Sequence, residues 1–268
     1  MAIIRDHIAR VEQLGLDEAF LDLSDLHSPR SAMRRLVAEI FAQTGMRASV
    51  GIGPNRLVAK VASDAEKPNG FVVMTAQQAR DRFADSPVTL VPGIGGKTSE
   101  RLGLMGIETL GQLREVEPEA LSIRFGPRQG PILASLAMFE GSADITTDRI
   151  AVSESRETTF DVDIASGPAL EMELASLVTE LSAALNKHDR RGRTIRIKVR
   201  LDDWTTITRS RTIDAATNDP ATITDVALQL LRDYRPQRPV RLLGVGVAGF
   251  ADAERQQQLE LDLGEVAA

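Results

Sequence analysis

The order of predicted elements between residues 152 and 250 constrains the fold of this chain more than any other feature. Apolar residues alternate with polar ones in some stretches and recur at helical spacing in others, which predicts four strands and two helices. Their order, βαββαβ, is typical of a small sheet covered by two helices. The predicted elements are Val152 to Phe160, Pro168 to Asp189, Thr194 to Leu201, Thr205 to Ile213, Ala221 to Tyr234 and Val240 to Phe250.

The chain before residue 152 is organised differently. Residues 1 to 74 mix predicted helices and strands, among them an extended run from Val11 to Leu23 and an amphipathic helix from Ser31 to Thr44. Residues 75 to 142 predict short helices separated by glycines, and residues 143 to 151 predict a linker. With a polar, acidic tail over residues 251 to 268, the sequence predicts an α+β multidomain protein.

Composition is that of an ordinary globular protein. The 268 residues suggest about two domains, and 43% of them are hydrophobic. The absence of cysteine excludes disulfides and thiolate metal sites. No apolar run approaches the ~20 residues of a membrane span, and charges follow the first apolar residues too soon for a signal peptide. We therefore expect a cytoplasmic protein without a membrane partner.

Basic residues are concentrated in one segment although the net charge of the chain is −6. Between residues 187 and 211, nine cations stand against three aspartates. A local basic patch, rather than the total charge, determines affinity for phosphates, so this segment predicts a nucleic-acid contact. The alternative is a solvated strand face. The nine cations are Lys187, Arg190, Arg191, Arg193, Arg196, Lys198, Arg200, Arg209 and Arg211.

Two adjacent carboxylates, Asp17 and Glu18, interrupt an otherwise apolar, strand-like run. Buried together, they would repel each other unless a cation or a shared proton compensates them. Mg²⁺ is the usual compensation, because it binds one or two protein carboxylates together with substrate phosphates. On an ideal strand neighbouring side chains point apart, so both can reach one ion only at a bend, which the nearby Gly15 favours. Asp22 lies on the other face from Asp17, which favours a structural role for it.

The glycine-rich segment from Val91 to Thr98 predicts a helix-hairpin-helix. It is not the phosphate-binding loop of nucleoside triphosphatases, because the first glycine of that motif would fall on Val91. A glycine turn that leads into a helix presents backbone N–H groups and the positive end of the helix dipole. Such a turn can hold a DNA phosphate without recognising sequence. The alternative is a plain turn between helices.

Lys67 lies in a Lys-Pro-Asn-Gly turn, shortly after Lys60 on the preceding predicted helix. A lysine in a rigid turn can act as a fixed point charge for a triphosphate. The alternative is an ordinary solvated lysine.

Four segments of the chain together resemble the Y-family translesion DNA polymerases. They are Leu16 to Asp22, Ser49 to Lys60, Ser63 to Gly70 and Val91 to Gly95, and they occur in the order and spacing of that family. The βαββαβ region is similar to the family's little-finger domain. The resemblance therefore implies a partial palm in residues 1 to 74, a thumb in residues 75 to 142 and a little finger in residues 152 to 250.

The resemblance also implies roles for individual residues. Asp17 and Glu18 would be catalytic and would bind metal in a site that holds two Mg²⁺ ions, and Lys67 would contact the triphosphate of a deoxynucleoside triphosphate. Primer–template DNA would be held by Gly93, Ile94, Gly95, Gly96 and Lys97 in the thumb and by Arg193, Arg196, Lys198, Arg209 and Arg211 in the little finger. In the tail, the hexapeptide from residue 258 to residue 263 resembles a ligand of the DNA sliding clamp, which would contact Gln258, Leu259, Leu261 and Leu263.

The sequence departs from the family in one respect. The family's first metal-binding aspartate, its steric-gate aromatic residue and its fingers belong to an earlier segment, so we expect a family member shortened at the N-terminus. Two hypotheses follow. The chain is either a DNA polymerase with impaired primer extension or a non-catalytic module that binds DNA and the sliding clamp. A helix-hairpin-helix nuclease would need further acidic clusters, which the sequence lacks.

Overall fold

The computed structural model describes residues 1–147 and 151–250 of the chain. The chain divides into two compact units, Met1–Asp148 and Arg149–Ala268. The described part contains no helix long and apolar enough to cross a membrane.

The first unit begins with a short helix and a β-hairpin. Helix α1 (Ala2–His7) is followed by β1 (Val11–Gln13) and β2 (Ala19–Leu21), which pair antiparallel with Val11 opposite Leu21. The predicted extended run from Val11 to Leu23 is therefore two short strands, and the bend expected at Gly15 is a full hairpin turn. The chain turns back because the amides of Leu14 and Gly15 both donate to the carbonyl oxygen of Glu18, at 3.0 and 3.4 Å.

A βαβ unit follows the long helix α2 (Pro29–Thr44). It consists of β3 (Val50–Ile52), α3 (Arg56–Asp64) and β4 (Phe71–Val73), with β3 and β4 parallel. The side chain of Asn55 caps α3 by accepting from the Val58 amide at 2.9 Å. Gly51 permits the close approach of β3 to α3, since a Cβ atom there would lie 2.0 Å from the Ala59 carbonyl oxygen.

Short helices complete the first unit, as predicted. They are α4 (Ala76–Arg82), a 3-10 turn at Val88–Leu90, α5 (Gly96–Gly103), α6 (Leu110–Arg114), α7 (Pro118–Phe125) and α8 (Gln129–Ala137). These helices share one core with α3 and β4, which contribute Leu57, Val58, Val61, Ala62 and Val72. A separate, smaller core lies beneath α1, β1 and α2 and contains Ile8, Val11, Met33 and Leu36.

The second unit has the predicted βαββαβ order. Its elements are β5 (Ser153–Ile164), α9 (Gly167–Lys187), β6 (Gly192–Leu201), β7 (Thr206–Thr217), α10 (Pro220–Tyr234) and β8 (Val240–Phe250). The four strands form one antiparallel sheet in the order β5-β8-β6-β7. Apolar side chains of α9 and α10 pack against one face of the sheet, where Ile195, Ile197 and Val199 of β6 are buried. The opposite face carries the alternate residues of each strand.

Candidate functional site

Asp17 and Glu18 lie in the loop of the β1–β2 hairpin, and both are exposed. The sequence allowed both side chains to reach one ion only at a bend near Gly15, and the hairpin turn lies there, although it leaves both carboxylates exposed instead of buried. The Glu18 carboxylate is compensated by Lys60 of α3, whose ammonium group donates a hydrogen bond to it. This hydrogen bond is the largest cause that raises the pKa of Lys60 above its ordinary value, and the neighbouring Asp64 carboxylate adds to the rise.

Lys67 lies on the same side of α3. Its Nζ is 2.6 Å from Oδ1 of Asp64, and Nζ of Lys60 is 3.6 Å from Oδ2 of the same carboxylate. Asp64 thus stands between the two lysines, and both lysines line a cavity of about 710 Å³ together with Asp17 and Glu18. Sequence reasoning missed Asp64, although its spacing of three and four residues from the lysines is that of ion pairs on a helix.

The hairpin loop fits a divalent ion only in part. Carboxylate oxygens are the hard ligands that Mg²⁺ prefers, and Asp17 and Glu18 supply them side by side. Within the described residues, however, no three acidic or histidine side chains come together as a metal cage. The loop therefore suits an ion that it shares with a substrate phosphate.

Asp22 has the structural role that the sequence favoured. Its carboxylate accepts from Arg10 at 2.8 Å and from the Ser24 amide at 3.0 Å. Hydrogen bonds from the Ser24 hydroxyl and amide, followed by the charge of Arg10, lower the pKa of Asp22 below its ordinary value.

The glycine turn before α5 has the predicted helix-hairpin-helix form. Gly93 adopts a φ of +101°, which favours glycine, and Gly95 occupies the N-cap position of α5. Gly95 and Gly96 are exposed, and a Cβ atom on either would meet no atom within 4 Å. Ile94 differs from its neighbours in this turn. Its side chain is buried and its amide donates to the Val91 carbonyl oxygen at 3.3 Å, so Ile94 anchors the turn to the core.

The basic residues of the second unit do not share one face. Arg196 and Lys198 lie on the open face of the sheet, opposite Gly246 and Gly244 of β8. There Lys198 forms an ion pair with Glu157 at 2.9 Å, and Arg196 donates to Ser153 Oγ at 3.2 Å. Arg193 is exposed where the register of β6 and β7 shifts, between Gly192 and Thr194.

Arg209 and Arg211 lie on the helix-covered side, so the prediction of a common DNA face is wrong for them. The register of β7 places them opposite Ile197 and Ile195, which are buried under the helices. Accordingly, Arg211 is 3.3 Å from Asp233 of α10, and the Arg209 guanidinium lies 5.5 Å from the ring centroid of Tyr234. Strand alternation could have revealed this from the sequence, because both arginines share the parity of the apolar Ile207 and Ile213.

The predicted clamp-binding residues Gln258, Leu259, Leu261 and Leu263 lie outside the described residues.

Comparison with known proteins identifies the family. The family model described as "impB/mucB/samB family" matches residues 1–64, and the model of its C-terminal domain matches residues 151–261. A thumb-domain model, described as "DNA polymerase-iota, thumb domain", matches residues 89–135. The DNA polymerase IV of Methanoculleus marisnigri is 38% identical over 248 residues, which are 91% of this chain and 69% of that protein. The chain belongs to the Y-family of DNA polymerases.

Other Y-family members agree with this assignment. The DNA polymerase IV of Streptomyces coelicolor is 35% identical over 94% of this chain, and the alignment covers 54% of that protein. The chain thus spans between about half and about two thirds of the length of these two relatives.

Among solved structures, the Y-family DNA polymerase chimera Dbh-Dpo4(243-245)-Dbh superimposes with a TM-score of 0.79 at 23% identity, over 94% of this chain and 74% of that one. The insertion ternary complex of Dbh DNA polymerase gives a TM-score of 0.57 at 22% identity, over 93% of this chain and 74% of that one. These structures support the palm, thumb and little-finger type of fold.

Proposed function

We propose that this chain carries out template-directed DNA synthesis of the DNA polymerase IV type, including synthesis across damaged templates. The observation that carries the proposal is the hairpin loop, which presents Asp17 and Glu18 side by side within one cavity that Lys60 and Lys67 also line. Adjacent acidic and basic groups of this kind suit a substrate that brings both a metal ion and a triphosphate. Curated relatives named DNA polymerase IV support the same reaction.

Each residue of the loop region has a distinct part in this proposal. Asp17 and Glu18 would hold the Mg²⁺ ions. When bound, the ions would activate the primer 3′-oxygen and neutralise charge on the phosphates of the incoming nucleotide. Lys67 supplies a fixed positive charge for the triphosphate, and Lys60 fixes the Glu18 side chain on the cavity side of the loop. The protein thus contributes positioning and electrostatics.

Two surfaces would hold the DNA. In the first unit, the amides of Gly96 and Lys97 precede the first hydrogen bond of α5, which the Thr98 amide donates to the Gly95 carbonyl oxygen at 3.0 Å. The open space beside Gly95 and Gly96 allows a phosphate to approach these two amides. In the second unit, Arg196 and Lys198 of the open sheet face would contact the backbone without recognising bases. The second unit would therefore contribute a salt-dependent share of affinity.

A non-catalytic DNA-binding module is the second candidate, and one observation favours it. Within residues 1–147 and 151–250, the hairpin loop is not joined by a third acidic or histidine ligand, and Glu18 is already paired with Lys60. Metal binding by the 268-residue chain alone would therefore depend heavily on water and on substrate phosphates. We expect this chain by itself to bind primer–template DNA but to extend primers poorly.

Primer extension and DNA binding, measured on the same preparation, separate the two candidates. The polymerase would be established by primer extension that requires Mg²⁺ and disappears in the double variant Asp17→Asn with Glu18→Gln, while the DNA affinity of that variant is unchanged. DNA binding without any extension above that of the double variant would favour the module. If the unmodified chain does not bind DNA, both the polymerase and the DNA-binding module are contradicted.

A contact with the DNA sliding clamp through residues 258 to 263 remains part of the proposal on sequence grounds. Deleting the residues after Arg255 should abolish binding to a purified sliding clamp and leave DNA affinity nearly unchanged. Full retention of clamp binding by the shortened chain would rule out this peptide.

A further inference from the structure

Trp204, the only tryptophan of the chain, stands at the tip of the β6–β7 hairpin. Its backbone has a φ of +66°, which bulky residues rarely adopt. The turn is nevertheless well fixed, because the Trp204 amide donates to the Leu201 carbonyl oxygen at 3.0 Å and the Leu201 amide donates to the Thr205 carbonyl oxygen at 2.9 Å. The indole itself remains 64% exposed. A rigid turn thus presents a large aromatic surface to solvent.

Two arginines lie over this indole. The guanidinium carbon of Arg241 is 4.7 Å from the ring centroid, and that of Arg200 is 5.8 Å away. Both arginines are held by other groups, since Arg241 lies 3.7 Å from Asp163 and Arg200 donates to Thr206 Oγ1 at 2.9 Å. The high exposure of the indole shows that the arginines do not enclose it. Aromatic surface next to fixed guanidinium groups is the combination with which proteins bind single-stranded nucleic acid.

The charges around Trp204 favour a nucleic acid as the occupant. Arg200 follows Lys198 and Arg196 at two-residue spacing on the open face of β6, so the indole stands at the end of a row of three cations. The two acidic neighbours, Asp202 and Asp203, are both paired with Arg238, at 2.6 and 3.5 Å. A backbone of phosphates could therefore follow the row and place a base on the indole.

We propose that Trp204 is a stacking site for an unpaired base of a DNA strand that runs along the open face of β6. The proposal rests on DNA being the substrate, as proposed above, and it adds a contact that duplex DNA alone would not make. Base stacking tolerates any sequence, because every base presents a π face. The site would therefore bind an unpaired template base whatever its identity.

The single tryptophan allows a direct test by its fluorescence. The 268-residue chain is titrated with an oligothymidylate strand, with a primer–template that has an unpaired template overhang, and with a blunt duplex of equal length. Binding is followed independently through the anisotropy of labelled DNA. We expect the first two ligands to quench the emission and the blunt duplex to leave it nearly unchanged. Unchanged emission when the chain is saturated with single-stranded DNA would overturn the proposal.

Variants provide the second arm of the test. Trp204→Ala should weaken binding of the oligothymidylate strand about tenfold, whereas Trp204→Phe should retain most of the affinity. Met172→Ala, which removes another well-exposed apolar side chain of the second unit, from α9, serves as the matched control and should change nothing. Equal affinity of the alanine variant and the unmodified chain would contradict the proposal.

The outcomes also separate this inference from the proposed function. If the chain binds neither duplex nor single strand, the proposed function fails and the stacking site fails with it. In another outcome, duplex binding is intact while Trp204 emission does not respond to single-stranded DNA and Trp204→Ala binds it with unchanged affinity. In that case only the stacking site is wrong. Emission that responds to a purified sliding clamp and not to DNA would identify Trp204 as a protein contact and would likewise overturn the proposal.

Discussion

Lys60 of α3 donates a hydrogen bond to the carboxylate of Glu18, which is 42 residues away in the sequence. The contact joins the middle of a helix to the exposed loop of the β1–β2 hairpin. It also places a cation between the hairpin and Asp64, whose other neighbour is Lys67. In the free protein the Glu18 carboxylate is thus paired with a positive charge, and a bound divalent ion would compete with that charge for it.

Removing that charge should strengthen metal binding. In Lys60→Met, Glu18 loses its partner, and the affinity of the 268-residue chain for Mn²⁺ should rise about two- to fivefold, the range of a solvent-accessible ion pair. The concentration of free Mn²⁺, followed by electron paramagnetic resonance, measures the change. Lys60→Arg is the matched control, because it keeps a cation at this position and should leave the affinity close to its original value. Weaker Mn²⁺ binding in Lys60→Met would show that Lys60 mainly orders the loop.

Asn55 should contribute to the stability of the first unit through two hydrogen bonds. Its side-chain Oδ1 accepts from the Val58 amide, and its side-chain Nδ2 donates to the Phe139 carbonyl oxygen at 2.9 Å. Asn55→Ala removes both bonds and should lower the free energy of unfolding by about 2 kcal/mol, whereas Asn55→Asp keeps the cap acceptor and should cost about 1 kcal/mol. Urea unfolding followed by circular dichroism reports both units, and Trp204 emission reports the second unit alone. The loss of stability should appear in the unfolding of the first unit, seen by circular dichroism. The unfolding of the second unit, seen by Trp204 emission, should be unchanged.

The lowered pKa of Asp22 predicts how stability depends on pH. Because the folded pKa is below the ordinary value of 3.8, ionised Asp22 stabilises the fold above that value. This stabilisation should be lost as the pH falls through the lower, folded pKa. In Asp22→Asn, stability should be lower near neutral pH, and the difference from the unmodified chain should shrink below pH 3.8. Urea unfolding between pH 2.5 and pH 7 tests the sign, and a difference that grows at acid pH would contradict it.

The two faces of the sheet in the second unit predict different salt dependences. Arg196→Ala combined with Lys198→Ala should reduce the slope of log affinity against log salt by about 2, because two phosphate contacts are lost. Arg209→Ala combined with Arg211→Ala removes the same charge from the helix-covered side and should leave the slope nearly unchanged. Anisotropy of labelled duplex DNA at several salt concentrations measures both. Equal slopes for the two double variants would contradict the assignment of the open face.

The sequence alone determined those parts of the fold that local periodicity specifies. Alternation and helical spacing predicted the βαββαβ order of residues 152 to 250, and the glycines around Gly93 predicted the turn before α5. The same alternation already contained the division of β6 and β7 between two faces, since Arg209 and Arg211 share the parity of the half-buried Ile207 and Ile213. The family, too, could be inferred from motifs in their order along the chain.

Tertiary structure decided what depends on contacts between distant segments. The hairpin turned the bend expected at Gly15 into an exposed loop that carries Asp17 and Glu18, because the Glu18 carbonyl oxygen closes the turn on Leu14 and Gly15. Packing of α3 beside that loop then brought Lys60 to Glu18. Pairing of the strands placed Arg241 of β8 over Trp204 of the β6–β7 turn. No local pattern encodes such pairs, because their geometry exists only once the segments between them have folded.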